Sequence, residues 1–276
     1  MKTYDDLTPF VFAAVAAAVK AGVRTLEIYN QDFSVETKSD NSPLTQADRD
    51  AHAIIVSRLK AFELPILSEE GRAIPYDERR GWEQFWMVDP LDGTKEFVKK
   101  NGEFTINIAL IHHQSPILGV VYVPVSRRLY YAAEGMGTFR FDISDEASIE
   151  LVSIGDLVGS SRRLTADVAG DSPYTIVGSR SHVTPELEAY VAEKRRRHDV
   201  VEFISAGSSL KFCLVAEGMA DVYPRMGPTM EWDTAAGQVV AEMAGATVVR
   251  ADNGLPMVYN KPDLLNPWFI VTAKKR

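Results

Sequence analysis

The spacing of apolar positions changes character twice along this chain. From Phe10 to Tyr29 they run through an alanine-rich stretch at helical spacing, and Thr8-Pro9 in front supplies a helix start, because proline costs least at the first helical position. Thr45-Gln46-Ala47-Asp48 reads as a capping box with Asp in place of the usual Glu. It opens a second helix through about Phe62, with Ala51, Ile54, Ile55 and Leu59 on its apolar face. Leu64 to Ser68 reads as a short strand ending at Glu69-Glu70-Gly71, and Gln84 to Asp89 as the next. From Phe104 to Phe141 the spacing moves toward two. Strands are predicted at Thr105–Ile111, Ile117–Val123, Arg128–Ala133 and Thr138–Phe141, punctuated by Gly and Pro.

Ser144 to Asp171 is polar and weakly patterned, a crossing between lobes. Beyond it strands and helices alternate. Strand Tyr174–Gly178 precedes helix Pro185–Arg197, strand Val200–Ile204 precedes helix Ser208–Glu217, and strand Ala220–Tyr223 precedes helix Thr234–Ala244. Closing strands fall near Val248 and at Phe269–Thr272. The order predicts an α+β lobe over residues 1–150 and an α/β lobe over 151–276. No repeat or low-complexity tract interrupts it.

Composition narrows the picture. At 276 residues, with 46% hydrophobic and 25% charged, the chain can bury a sizeable core. No uninterrupted apolar run approaches the ~18–20 residues that span a bilayer. Phe10 to Val23 is apolar enough to suggest a secretory leader, but only Lys2 is basic before it, Asp5 and Asp6 precede it, and its pattern continues into Arg24-Thr25-Leu26-Glu27. A core helix is the better reading. Cys213 is the sole cysteine, within an apolar stretch, so a buried structural thiol and a reducing cytoplasm fit. A net charge of −8 argues against a protein that coats nucleic acid. It does not argue against a small phosphorylated substrate, because bound divalent ions dominate a local field. The basic run Lys194 to His198 reads as a solvated helix end, with peripheral contact to the cytoplasmic face of a membrane the lesser reading.

The candidate chemistry centres on Trp86-Met87-Val88-Asp89-Pro90-Leu91-Asp92-Gly93-Thr94. A buried strand delivers Asp89 to its end, and Pro90, lacking an N–H, stops the sheet ladder. Gly93 permits close backbone approach to an anion, and a helix beginning after it aims free N–H groups at that anion. Carboxylates for hard cations beside N–H groups for phosphate indicate a metal-dependent phosphoester site. Further acids stand at Asp48, at Glu69-Glu70, and at Asp233 in Glu231-Trp232-Asp233-Thr234-Ala235-Ala236-Gly237. Each alone has a plain structural use as a helix cap or solvated turn. A haloacid-dehalogenase-type phosphatase also sets acids before Gly-Thr, but with one intervening residue and near the N-terminus; here Pro90 and Leu91 intervene.

Asp48, Glu69-Glu70, the Asp89–Thr94 block and the Trp232–Gly237 block, in that order, resemble the lithium-sensitive, magnesium-dependent phosphatases of the inositol monophosphatase superfamily. Lys95-Glu96-Phe97, Lys100 to Phe104 and Gly207 to Cys213 are similar to its CysQ-type 3′(2′),5′-bisphosphate nucleotidase branch. The resemblance implies a layered αβαβα fold with mixed sheets between helices, and two to three Mg²⁺ ions with inhibition by Li⁺. Glu69, Asp89 and the Leu91 carbonyl would hold the first ion. Asp89, Asp92 and Asp233 would hold the second, and Glu69 a weaker third. Asp48 would orient the Thr94 hydroxyl toward the attacking water, with Glu69 also in the catalytic set. Gly93 and Thr94 N–H groups would cradle the scissile phosphate. Ser208, Lys211, Arg225 and His182 would approach the nucleotide and its other phosphate. The implied activity is removal of the 3′-phosphate from adenosine 3′,5′-bisphosphate, or from its sulfated analogue PAPS, beside sulfate assimilation. Inositol-phosphate or fructose-bisphosphate hydrolysis, and a non-catalytic phospholigand binder, are the rivals.

Overall fold

The structure, a computed structural model, describes residues 4–37, 43–144, 153–170, 172–179 and 184–275. Helix α1 (Tyr4–Tyr29) begins before Thr8-Pro9, so Pro9 lies inside it. So close to the helix start the proline removes a single early hydrogen bond, which the following turns tolerate. The stretch Leu7–Tyr29 is by length and hydropathy sufficient to cross a membrane. Its apolar face is instead occupied within the protein: Leu7, Val11, Ala14, Val15 and Ala18 are buried in one cluster with Ala51, Ile55 and Leu59. A hairpin pair, β1 (Val35–Thr37) and β2 (Pro43–Thr45), leads to α2 (Gln46–Leu59), which a short 3₁₀ turn extends to Phe62.

The next elements are β3 (Ile66–Ser68), α3 (Tyr76–Arg79), β4 (Gln84–Asp92), α4 (Thr94–Val98), β5 (Thr105–His112), β6 (Ser115–Val123), β7 (Arg128–Ala133) and β8 (Gly137–Asp142). The weakly patterned crossing contains three short elements that the sequence did not announce: α5 (Ile154–Ser160), β9 (Arg162–Leu164) and β10 (Asp167–Val168). Strands β3 to β9 form a seven-stranded sheet in chain order, antiparallel except for the β3–β4 pair.

There follow β11 (Tyr174–Gly178), α6 (Pro185–Arg197), β12 (Val201–Ser205), α7 (Leu210–Ala216), β13 (Val222–Arg225), α8 (Glu231–Met243), β14 (Thr247–Arg250), β15 (Phe269–Thr272) and β16 (Lys274–Lys275). A second sheet has the order β12-β11-β13-β15-β14, parallel in its first three strands. The crossovers from β11 to β12 and from β12 to β13 run in opposite directions, so right-handed connections place α6 and α7 on opposite faces. Helices α7 and α8 fill the space between the sheets. Phe212, Cys213, Val239 and Val240 share one core with Met87, Ala109 and Val121 on one side and Tyr223, Phe269 and Val271 on the other. Cys213 is fully buried there, and burial pushes its thiol well above its ordinary range. Layers of α1/α2, sheet, α7/α8, sheet and α6 give the αβαβα arrangement of mixed sheets and helices.

Small residues set the spacing of the central layers. A Cβ on Gly119, midway along β6, would collide with the carbonyl oxygen of Ala236 in α8. One on Gly237 would stand 2.5 Å from the Phe212 ring of α7. A larger side chain at Gly119 would push α8 off the sheet, and one at Gly237 would push α8 away from α7.

Candidate active site

A β-bulge aims the central acids. Asp89 pairs with Asn107 and Asp92 with Thr105, so two residues of β4 oppose one of β5. Pro90 therefore does not end the ladder, as its missing N–H led us to expect; the bulge absorbs it and pairing resumes at Asp92. In an unbroken strand, residues three apart face opposite sides of the sheet. The extra residue corrects that phase, placing Asp89 and Asp92 on the side shared by their partners Asn107 and Thr105. The bulge is held from within, because the Leu91 N–H donates to Asp89 Oδ1 at 3.0 Å.

Glu69 follows the parallel neighbour β3, and its N–H bonds the Val88 carbonyl at 3.1 Å. Asp233 comes from the opposite layer, in the first turn of α8, where its Oδ2 accepts from the Met230 N–H at 2.9 Å. Glu69, Asp89, Leu91, Asp92, Gly93, Thr94, Ser208, Lys211, Arg225 and Asp233 all line one cleft of about 260 Å³. His182 lies outside the described residues.

Asp48 stands behind the cleft wall, 1% exposed. Its Oδ2 accepts from the Thr45 N–H at 2.7 Å and the Thr45 hydroxyl at 2.6 Å, and its Oδ1 faces the Thr94 hydroxyl at 3.2 Å. The same hydroxyl lies 3.4 Å from the Leu91 carbonyl. A hydroxyl that donates backward in this way keeps its lone pairs facing forward. Thr94 begins α4, and Gly93 before it has φ +93°, a left-handed conformation that glycine adopts without strain.

Three polar residues that the sequence reading passed over tie the halves together. Ser209 N–H donates to Asp92 Oδ2 at 2.7 Å, and its hydroxyl to the Asp233 carbonyl at 2.6 Å. Buried Asn107 reaches Asp92 Oδ2 at 3.4 Å and the Ser209 hydroxyl at 3.0 Å, and Thr105 also approaches Asp92 at 3.4 Å. Polar residues two apart in a strand buried on both faces were the available signal.

Two cationic side chains, Lys211 and Arg225, also line the cleft. Lys211 is 4% exposed and donates to the Ser208 carbonyl at 2.5 Å and the Ala206 carbonyl at 3.4 Å. Burial, with Arg225 adding and Asp92 opposing, pushes its ammonium down to about 8. Arg225 donates to the Pro228 carbonyl at 2.6 Å, while its Nε is buried without a hydrogen-bond partner among the described residues. The Ser208 hydroxyl is spent on the carbonyls of Asp92 at 2.8 Å and Glu103 at 2.9 Å, which latches α7 to the loop after α4.

The acids repel one another. Burial raises the Asp89 carboxyl well above its ordinary range, and the charges of Glu69, Asp92 and Asp233 raise it further. Asp233 is raised by burial and then by Asp92, with the Met230 N–H opposing. Oxygen-only donors with uncompensated negative charge suit a hard divalent cation, whose charge would return both carboxyls to their ionised form.

Clustered carboxylate oxygens, a backed hydroxyl and two cationic side chains in one cleft are the equipment of a metal-dependent phosphatase. The chain belongs to the inositol monophosphatase family, whose description matches residues 6–275, and that family consists of metal-dependent phosphoester hydrolases. It is 44% identical over 260 residues to the 3′(2′),5′-bisphosphate nucleotidase CysQ of Escherichia coli (strain K12), covering 92% of this chain and 96% of that one. The corresponding enzyme of Haemophilus influenzae is 32% identical over 262 residues, covering 93% and 90%. Among solved structures, CysQ from Bacteroides thetaiotaomicron, described as a bacterial member of the same family, superposes with a TM-score of 0.87 at 49% identity, covering 98% of each chain. The inositol monophosphatase of Anabaena shares the fold, with a TM-score of 0.69 at 23% identity and coverage of 97% and 91%.

Proposed function

We propose that this protein is a Mg²⁺-dependent 3′(2′),5′-bisphosphate nucleotidase that removes the 3′-phosphate of adenosine 3′,5′-bisphosphate, and that of PAPS, by attack of water. The observation carrying this reading is the presence of two kinds of charge in one cleft. Acids suited to cations line it together with the cationic side chains Lys211 and Arg225. A substrate with one phosphate and a neutral polyol gives those cations nothing to bind. A nucleotide with a second phosphate does. The names of the relatives at 44% and 32% identity support the same substrate class.

Glu69, Asp89 and the Leu91 carbonyl would hold one ion; Asp89, Asp92 and Asp233 would hold another. Bound Mg²⁺ supplies Lewis acidity, which lowers the pKa of the attacking water and stabilises the departing alkoxide. The chain's own residues do the rest. Thr94 donates a hydrogen bond to Asp48 and accepts one from the water, which orients the water's lone pair toward phosphorus. The Thr45 N–H and hydroxyl that fix Asp48 keep this pair from turning. Gly93 and Thr94, at the start of α4, offer N–H groups to the scissile phosphate. Lys211 and Arg225 fix the other phosphate and so set the distance to the bond that breaks.

A substrate panel tests the reading: adenosine 3′,5′-bisphosphate, PAPS, 3′-AMP, inositol 1-phosphate and fructose 1,6-bisphosphate, each with and without MgCl₂. The bisphosphate nucleotides should show the highest kcat/KM and require Mg²⁺. Turnover should fall in LiCl and much less in NaCl at equal ionic strength, because Li⁺ enters an oxygen-lined site with half the required charge. Equal responses would reduce the effect to screening. A higher kcat/KM on inositol 1-phosphate would overturn the substrate assignment.

A further inference from the structure

The end of β4 remote from the acids carries a second group of metal-ligating side chains. Glu83 immediately precedes β4, His112 ends β5, and His113 lies in the turn to β6. One ligand atom of each lies within 4.8 Å of the others. None of the three lines the catalytic cleft.

Adjacent residues on a strand point to opposite faces, so His112 and His113 should diverge. His113 instead has φ +54°, in the left-handed region, and its ring stands 4.3 Å from that of His112 at an interplanar angle of 42°. The His113 N–H bonds the Glu83 carbonyl at 2.6 Å, which fixes the turn against Glu83. The carbonyl of Gln114, the next residue of the turn, accepts from the Tyr259 N–H at 3.1 Å. The backbones of all three ligands are thus set by the sheet and by a contact from another layer. His112 Nε2 lies 3.7 Å from Glu83 Oε1. Two donors bound at ordinary lengths to one tetrahedral zinc stand roughly 3.4 Å apart, so a small side-chain adjustment closes the site.

We propose that Glu83, His112 and His113 form a second metal site, specific for a borderline transition-metal dication such as Zn²⁺ and independent of the catalytic ions. Two imidazole nitrogens with one carboxylate favour Zn²⁺ over Mg²⁺, which the all-oxygen cleft favours in turn. Three protein ligands on a solvent-facing turn leave the remaining position to water.

The test is calorimetric titration of the full chain with ZnCl₂ in saturating MgCl₂, so that Mg²⁺ occupies the catalytic acids. One Zn²⁺ per chain should bind. Its affinity should drop at least tenfold in His112→Ala, His113→Ala and Glu83→Gln, and binding should vanish in the double histidine variant. Mg²⁺-dependent turnover measured without zinc should not change in any of them. Long-range ¹H–¹⁵N spectra of the unsubstituted protein give a readout that no variant can compromise: substoichiometric Zn²⁺ should move the His112 and His113 ring resonances and leave His52 and His198 in place. Zinc stoichiometry and affinity unaltered in the double variant, or histidine resonances unmoved in the unsubstituted protein, would overturn the proposal.

Discussion

Asp89 is 1% exposed, its charge is opposed by three other acids, and one of its own oxygens already accepts a hydrogen bond from the Leu91 backbone. Asp89→Asn should lower Mg²⁺-dependent kcat by about a thousandfold or more, since it removes a charge proposed to be shared by two ions. The same change should raise the melting temperature in EDTA, because it relieves repulsion among buried acids. The linkage sign agrees. A carboxyl whose folded pKa is raised contributes stability below its unfolded pKa and loses it as pH rises through the folded one, so the gain from Asn should grow toward neutral pH. Melting curves in EDTA and a turnover assay check both halves. In the same cleft, Lys211→Ala and Arg225→Ala should each remove a charge-assisted contact worth about 1.5–3 kcal/mol, or roughly 10- to 150-fold in kcat/KM on the bisphosphate. A nucleotide carrying only the 3′-phosphate lacks that contact and should be affected little; equal losses on both substrates would make the residues structural.

Among the elements, the bulge in β4 and the docking of α8 do most to shape the cleft. Gly119→Ala would drive a methyl into the Ala236 carbonyl and should destabilise by about 1–3 kcal/mol. Because α8 carries Asp233, the variant should also need more Mg²⁺ for half-maximal turnover, which a metal titration measures. Helix α8 carries a pH-dependent group as well. Burial pushes Glu242 up to about 7, with the Gln238 amide opposing. Its stabilising contribution is complete below the unfolded value of 4.5 and is lost as pH rises through about 7. Glu242→Gln should therefore flatten the fall in melting temperature between pH 5 and 8 and gain about 2 kcal/mol at pH 8, less than the full shift converts to because solvent reaches part of the residue. Element type was legible wherever a period was long or caps were strong, as for α2 and its Thr45–Asp48 box, or α6. Elements α5 and β9 were not, because so few residues carry no measurable period. Of the acids that meet in the cleft, Asp89 and Asp92 stood out because paired carboxylates at a strand end serve packing poorly, whereas Glu69 and Asp233 stood out only as members of the family's motif blocks. Asn107, Thr105 and Ser209 did not, since one polar residue in an apolar strand or at a helix start has many ordinary uses. Pro90 misled for a definable reason: the rule that proline ends a ladder omits the case in which a bulge leaves its position unpaired.

For the molecule as a whole, the proposed ligation by buried, mutually repelling acids predicts a stability that depends on cations. A ligand that binds only the folded state stabilises by about 2.7 kcal/mol at a hundredfold excess over its Kd. Saturating MgCl₂ should accordingly raise the melting temperature by several degrees over EDTA, and this rise should disappear in Asp89→Asn. CaCl₂ at the same concentration is the useful comparison, since its larger radius and looser geometry suit the same oxygens less closely for catalysis.

The near-contact of Gly119 with Ala236 bears on time as well as space. Asp89 and Asp92 belong to a sheet made early in the chain, whereas Asp233 arrives on a helix some 140 residues later. With no slack between β6 and α8, Asp233 is in register only once that helix has seated. On the proposed ligation a partly folded chain would hold an incomplete ligand set, and the ion would act as a clasp fastened after the layers close. In a chevron experiment Mg²⁺ should slow unfolding while leaving the refolding limb where it lies without the ion. A refolding rate that climbs with Mg²⁺ would place the docking of α8 before the transition state.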